Sequence, residues 1–393
     1  MNEITDKKLK ILVLHNTLTP YRIPLFQAMS KSPGYEFRFV FAYRIIDMHV
    51  RHKFGHQWTF DQDLGIDYGI LPSKEIHTRY GTLYFVTNLK MLTQKCDLVV
   101  LSDHLNIPEL LLFIYTKLKK IPVLRWLETT NNSLEGMSEF KIYLKAYLNR
   151  ISDSIIVPGS ESRDYVLGTT HWEDNLYFCH DTVKNEVFQK ARVIPKEELM
   201  RNKEKLGLKG IVIGYFGQFI ERKGLDVLLK AVSMIKSNKE FSLLFVGDGP
   251  LKEELNAMHQ SINSYPLSFT GYIKQEDLPS YYALCDMTVL PSFVDIWGMV
   301  VNESIATGVP VICSSGVGAK DMIRDGKSGF IFEKGDAKGL TTAIEKMLES
   351  EELRNSMTKE ADKILEDYTI EKAKEQFLEA INRTYLNAKK KRS

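Results

Sequence analysis

Two carboxylates with seven residues between them, Asp295 and Glu303, lie in the segment Pro291 to Cys313 (PSFVDIWGMVVNESIATGVPVIC). A carboxylate offers two accepting oxygens, which suits it to a vicinal diol such as that of a ribose. The pattern places Glu303 in a helix opened by Gly298, with Met299 and Val300 in its first turn, and leaves Asp295 in the preceding loop. An ordinary solvated glutamate is the plain alternative for Glu303. Upstream, Arg222 and Lys223 precede Gly224. A guanidinium fork and an ammonium point charge on a turn suit phosphate oxygens, and the alternative is two basic residues facing water. A third loop, Ser314 to Asp321, carries Gly316, Gly318 and Ala319 directly after an apolar run. Glycines there let backbone N–H groups and a helix start point at an anion.

Positioning these groups requires strands that end together. The first half carries strand candidates at Ile11–Leu14, Phe37–Phe41, Leu98–Leu101, Pro122–Leu124 and Ser154–Val157. The second carries Ile211–Phe216, Ser242–Val246, Ser268–Thr270, Met287–Leu290, Val309–Cys313 and Phe330–Phe332. These runs are continuously apolar, as in parallel strands buried on both faces. Helical stretches separate them at Tyr143–Ile151, Leu225–Ile235, Leu251–His259 and Leu340–Leu348. The alternation predicts an α/β protein with two Rossmann-like, doubly wound parallel sheets. A polar stretch from Phe188 to Lys205 puts the expected division at residues 1–188 and 189–393, with a last helix at about 370–388 packing back on the first domain. Ligands of open α/β sheets bind beyond the C-terminal strand ends, so the expected site is the crevice the two domains face.

In the first half, Thr19-Pro20 reads as an N-cap followed by proline at the first helical position, after the first strand. That directs Asn16, Thr17 and Arg22 toward the cleft, on the acceptor side. Phe140, Tyr143, Leu144, Tyr147, Leu148 and Ile151 line one face of a helix, with Lys141, Lys145 and Asn149 opposite. Core packing is the default reading of that face, and seating on a membrane surface the alternative.

The segment Pro291 to Cys313 resembles the signature of the retaining glycosyltransferases of family 4, whose usual form has two glutamates separated by seven residues. Three further segments match in order. Tyr215 to Gly224 (YFGQFIERKG) resembles the family's phosphate-binding strand and loop, Phe245 to Pro250 (FVGDGP) its next strand end, and Phe269 to Ile273 (FTGYI) the turn that contacts the nucleobase. Asn16–Phe26 and Asp153–Tyr165 match more loosely. The resemblance implies a GT-B fold, with the donor held mainly by the second domain. Glu303 would then bind the ribose diol and Asp295 the donor sugar's hydroxyls. Arg222, Lys223 and the loop of Gly316, Gly318 and Ala319 would hold the diphosphate, while Gly217, Gln218, Tyr272, Ile273, Gly298, Met299 and Val300 complete the donor site. Glu128 stands near where relatives place a catalytic histidine and would orient the acceptor. The chain departs from the family in having Gln218 where many relatives carry arginine, aspartate at position 295, and no glycine pair near Asn16.

The implied activity is transfer of a sugar, with retention and without a metal ion, to a glycan or lipid-linked acceptor in the synthesis of a cell-surface polysaccharide or glycolipid. The donor is a substrate, a UDP-sugar by default, and no cofactor is expected. A nucleotide-sugar epimerase of the same fold and a nucleotide-binding pseudoenzyme are the alternatives. A formal charge of +2, from 52 basic and 50 acidic residues, calls for no nucleic-acid partner. His49, His52 and His56 could mark zinc, and Asp61 with Asp63 mimics a metal-binding Asp-x-Asp. A loop lining the acceptor side and a surface turn are the preferred readings of these. Four scattered cysteines suit a reducing cytoplasm. A charged start and no run of about 20 apolar residues argue for a cytoplasmic protein. The basic Lys389–Arg392 reads first as a solvated chain end, and the alternative is that it and the Lys141/Lys145 helix meet an anionic membrane on the inner face of the cell membrane.

Overall fold

The computed structural model describes residues 8–42, 64–78, 81–170, 172–262 and 265–392. The three histidines and the Asp61/Asp63 pair lie outside them. The chain divides into two compact units, Met1–His180 with Ile370–Ser393, and Asp181–Thr369.

In the first unit, strands β1 (Leu9–His15), β2 (Tyr35–Phe41) and β3 (Tyr68–Ile70) form one half of a sheet. A separate antiparallel pair, β4 (Ser73–Thr78) and β5 (Gly81–Val86), follows. The sheet continues through β6 (Leu98–Leu101), β7 (Val123–Trp126), β8 (Ser154–Val157) and β9 (Leu176–Phe178), in the order β3-β2-β1-β6-β7-β8-β9. Every neighbouring pair in it is parallel. Its helices are α1 (Ile23–Ser30), α2 (Ile107–Lys119), α3 (Glu139–Arg150) and α4 (Ser160–Thr170). Successive side chains of a strand point to opposite faces, and both faces are covered here. Ile11 and Val13 of β1 enter one core, whereas Leu12 and Leu14 enter another with Leu112 and Phe113 of α2 and Leu148 of α3.

The second unit begins with the short helices α5 (Asn185–Gln189) and 190–193, then α6 (Lys196–Lys205). Its strands are β10 (Ile211–Phe216), β11 (Phe241–Val246), β12 (Leu267–Gly271), β13 (Met287–Leu290), β14 (Val311–Ser314) and β15 (Gly329–Phe332), in the order β12-β11-β10-β13-β14-β15 and all parallel. The helices are α7 (Leu225–Ser233), α8 (Lys252–Ile262), α9 (Leu278–Tyr282), α10 (Met299–Thr307), α11 (Ala337–Glu349) and α12 (Glu351–Leu365). The chain then returns to the first unit as α13 (Ile370–Lys390), whose Ala373, Phe377, Ala380 and Ile381 enter the core that holds Ile11, Leu124 and Trp126.

Two doubly wound parallel sheets are therefore present, as the apolar runs predict. The division falls after His180 rather than after Phe188. Phe188 is fully buried in the second unit's core, and Arg192 bonds the C-terminal carbonyls of α10. The polar stretch 196–205 is a surface helix of the second unit with no buried residue, not a linker.

Candidate active site

Parallel strands bring their C-terminal ends to one edge, and in the second unit five such ends stand side by side. Gly217 and Gln218 follow β10, Gly247 follows β11, and Tyr272 and Ile273 follow β12. Asp295 follows β13, and Gly316 to Ala319 follow β14. Gly224, at φ +65°, turns the chain into α7, and a Cβ there would stand 2.2 Å from the Pro291 carbonyl oxygen. This close approach ties the Arg222–Lys223 turn to the Asp295 loop. Phe293 N donates to Arg222 O at 2.9 Å and Arg222 Nη1 to Val294 O at 3.2 Å.

Lys223 and Asp295 meet directly, with Nζ 2.5 Å from Oδ2 and both side chains about seven-eighths covered (12% and 15% exposed). Arg222 itself is exposed. Glu303 lies on α10, where Tyr282 Oη donates to its Oε2 at 2.6 Å. Burial raises the Glu303 carboxyl to about 7, the Tyr282 hydrogen bond opposing that rise. Asn302, beside it, is wholly buried. It accepts from Trp297 Nε1 at 2.8 Å and donates to Asp181 O at 3.1 Å, fastening α10 to the Asp295 loop.

The loop of Gly316, Gly318 and Ala319 packs against the Asp295 loop. Gly318 N donates to Asp295 O at 3.0 Å and Ala319 N to Trp297 O at 2.7 Å, while Gly316 N reaches Ser314 Oγ at 3.3 Å. The Gly318 and Ala319 amides thus hold the Asp295 loop. The glycines are needed because a Cβ at 316 or 318 would stand 2.3 or 2.1 Å from a backbone oxygen of that loop. The helix start at Gly298, Met299 and Val300 has no side-chain cap, and first-turn amides have no acceptor within their helix.

In the first unit, the ends of β1, β6 and β7 bring together Asn16, Thr17, Asp103 and Glu128. Thr19 forms no side-chain cap, and Pro20 opens a 3₁₀ turn, Pro20–Arg22, ahead of α1. Arg22 is 3% exposed, its guanidinium 4.2 Å from the Trp126 ring centroid, and it forms an ion pair with Glu128. Its charge is therefore balanced by Glu128 inside the fold. Glu128 is 18% exposed. His15, against Trp126 and His104, has its pKa lowered well below the usual range, first by burial and then by Arg22.

Sequence reasoning missed a buried cluster beside this edge. Lys145 Nζ donates to the Asp103 main-chain oxygen, to Asp103 Oδ2 at 3.2 Å and to Thr129 Oγ1 at 2.7 Å. Burial raises the Asp103 carboxyl, but the charges of Lys145, His104 and Arg125 with the Thr129 hydrogen bond outweigh it and bring the pKa to about 2. The available signal was Asp103 two residues past an apolar strand, at the strand edge where ligands of open α/β sheets bind.

Residues 196–364 match the family model described as glycosyl transferases group 1. The chain carries a group 1 glycosyltransferase domain. This bears out the resemblance to glycosyltransferase family 4 read from its motifs. It is similar to the sulfoquinovosyl transferase SQD2 of Arabidopsis thaliana, 29% identical over 226 residues, which cover 56% of this chain and 43% of that protein. It is also similar to the capsular polysaccharide biosynthesis glycosyltransferase CapM of Staphylococcus aureus, 26% identical over 259 residues, 65% of this chain and 68% of CapM. The chain thus spans less than half the length of SQD2. Among solved structures, Anabaena Alr3699/HepE in complex with UDP superposes with a TM-score of 0.75 at 15% identity, covering 95% of this chain and all of that one. That likeness shows the fold, two Rossmann-like domains of the GT-B type.

Proposed function

We propose that this group 1 glycosyltransferase moves a sugar, with retention and without a metal ion or cofactor, from a nucleotide-diphosphate donor to a glycan or lipid-linked acceptor. The observation that carries the reading is one strand edge bearing Lys223, Arg222 and Asp295, with Glu303 on the helix that follows the Asp295 loop. Breaking the bond between the sugar's anomeric carbon and the diphosphate oxygen builds negative charge on the leaving group, and cations fixed there favour the transition state. The acceptor oxygen bonds the anomeric carbon, and its proton passes to the departing phosphate oxygen on the same face, so that configuration is kept. Glu303 takes the ribose diol, Asp295 the sugar's hydroxyls, and Glu128 orients the acceptor. The UDP held by HepE, a protein of the same fold, favours a UDP-sugar.

Among the described residues no group of three or more His, Cys, Asp or Glu is arranged to hold a metal. A thermal-shift panel of UDP, GDP, ADP and dTDP with their sugars, repeated with EDTA, tests the donor. A ligand at 100 times its dissociation constant adds roughly 2.7 kcal/mol of stability. UDP and a UDP-sugar should raise Tm, and transfer should survive the chelator. Silence across the whole panel would overturn the donor reading, and loss of transfer restored by magnesium or manganese would overturn metal independence.

The acceptor side is proposed to work at an anionic membrane face, in a peripheral position. No helix among the described residues is long and apolar enough to cross a membrane. The docking face differs from the expected one. Lys145 is buried and paired, whereas Phe140 and Tyr143 of the same helix are 71% and 67% exposed. On α2, which packs on the same core, Ile107, Leu111, Ile114 and Leu118 form a second exposed apolar stripe at helical spacing, and Lys119, Lys120 and Lys141 are exposed nearby. Lys389 and Lys390 are the last turn of α13, which covers the opposite face of the sheet, so the tail is not part of this surface. Each Lys near an anionic surface is worth about 1 kcal/mol. Sedimentation with phosphatidylglycerol vesicles at low salt should pull down the wild type and much less of Leu118→Glu/Tyr143→Glu. A wild type that stays in the supernatant would make a soluble acceptor the better reading.

A further inference from the structure

Glu303 can meet a diol only in the orientation its surroundings impose, and a residue outside the motif supplies that orientation. Tyr282, at the end of α9, is fully buried. Its ring lies flat on Phe216, 3.6 Å between centroids with planes 10° apart, and meets Phe188 edge-on at 6.0 Å. Two aromatic contacts fix the ring, and the ring delivers its hydroxyl 2.6 Å from Glu303 Oε2. We propose that Tyr282 is a positioning residue for the donor, holding the Glu303 carboxylate through Oε2 so that Oε1 is the oxygen that meets the ligand's diol. The inference rests on the reading of Glu303 as the diol-binding carboxylate.

The electrostatics agree with this geometry. Burial pushes the Glu303 carboxyl up, and the Tyr282 hydrogen bond pulls it down. The tyrosine's own hydroxyl is held far above its ordinary value, by burial first and then by Glu303, so it stays protonated and can only serve as the donor of this bond. No other charge faces Glu303 among the described residues that pack on α10. Arg192 and Asp362 meet at its C-terminal end, Glu186, Lys190 and Asp321 are exposed, and Cys285 lies behind Tyr282.

The test is UDP affinity by calorimetry from about pH 6 to about pH 9, spanning the Glu303 titration. The proteins are the wild type, Tyr282→Phe, Glu303→Gln and the double variant. Tyr282→Phe keeps the stacked ring and removes the donor. Expected is a loss of affinity on the order of tenfold near neutral pH, a pH midpoint moved upward, and recovery as pH rises. In the Glu303→Gln background the same change should alter affinity by less than about twofold, since the partner it acts through is gone. Tyr282→3-fluorotyrosine, a stronger donor of nearly the same shape, should move the midpoint downward and keeps the test open if Tyr282→Phe fails to fold. A loss equal at every pH, or one that persists beside Glu303→Gln, overturns the proposal. Wild-type affinity in Glu303→Gln would instead overturn the reading of Glu303 itself.

Discussion

Glu303→Ala is expected to abolish transfer and to weaken nucleotide binding on the order of a hundredfold, because hydrogen bonds to a charged group contribute about 1.5–3 kcal/mol each and two are lost. Stability should move little near neutral pH. The wild type carries a buried carboxyl raised from 4.5 to about 7, and the variant exchanges that cost for an unpartnered Tyr282 hydroxyl. The sign follows from proton uptake. Between these two values the folded protein holds a proton that the unfolded chain releases, so wild-type stability falls as pH rises through this window, and the full cost of burial is present above about 7. Glu303→Ala should lose less stability than the wild type over the same interval. Urea unfolding across that range checks it, alongside nucleotide affinity. Near-normal turnover in the variant would remove Glu303 from the site.

Asp295→Asn should separate binding from chemistry. The carboxylate stands 2.5 Å from Lys223 Nζ in a mostly covered setting, so an arriving diphosphate competes with Asp295 for the ammonium. With the charge removed, UDP should bind several-fold tighter. Turnover should nevertheless fall about ten- to a hundredfold, since the hydroxyl-binding carboxylate contributes on the scale of a charged hydrogen bond. Lys223→Ala should show the complementary pattern, lower turnover with a smaller change in donor affinity. Calorimetry with UDP and single-turnover rates resolve the two effects. Weaker UDP binding to Asp295→Asn would mean that Asp295 preorganises Lys223 and does not compete for it.

Most of this strand edge was legible because it is local. Each strand reads as an apolar run, each site residue follows its strand within a few positions, and the motif from Pro291 to Cys313 carries loop, helix and next strand in order. What stayed hidden is contact between distant segments. Tyr282 sits in a plain SYYALCD stretch, and nothing in it announces a partner at position 303. Gly316 and Gly318 signalled close approach, but the approaching group is the Asp295 loop backbone. Lys145 falls on the polar side of a helical period, and only the fold reveals Asp103 and Thr129 beneath it. The aliphatic part of the same helix's apolar face, Leu144, Leu148 and Ile151, does pack on the core, whereas its aromatic part, Phe140, Tyr143 and Tyr147, is exposed, because a period shows that two faces differ and not how far each is covered. The short β9 and the β4–β5 pair were missed for want of a long apolar run.

The return of α13 to the first unit bears on how the chain is made. Ala373, Phe377, Ala380 and Ile381 belong to the same core as Ile11, Leu124 and Trp126, and the Phe377 ring lies 5.0 Å from that of Trp126. A nascent chain emerging from the ribosome presents residues up to His180 well before it presents this helix. The first sheet must therefore wait with one apolar face covered by α1 but not by α13 while all of Asp181–Thr369, a contiguous stretch with its own core, is synthesised. The half that begins first is completed last.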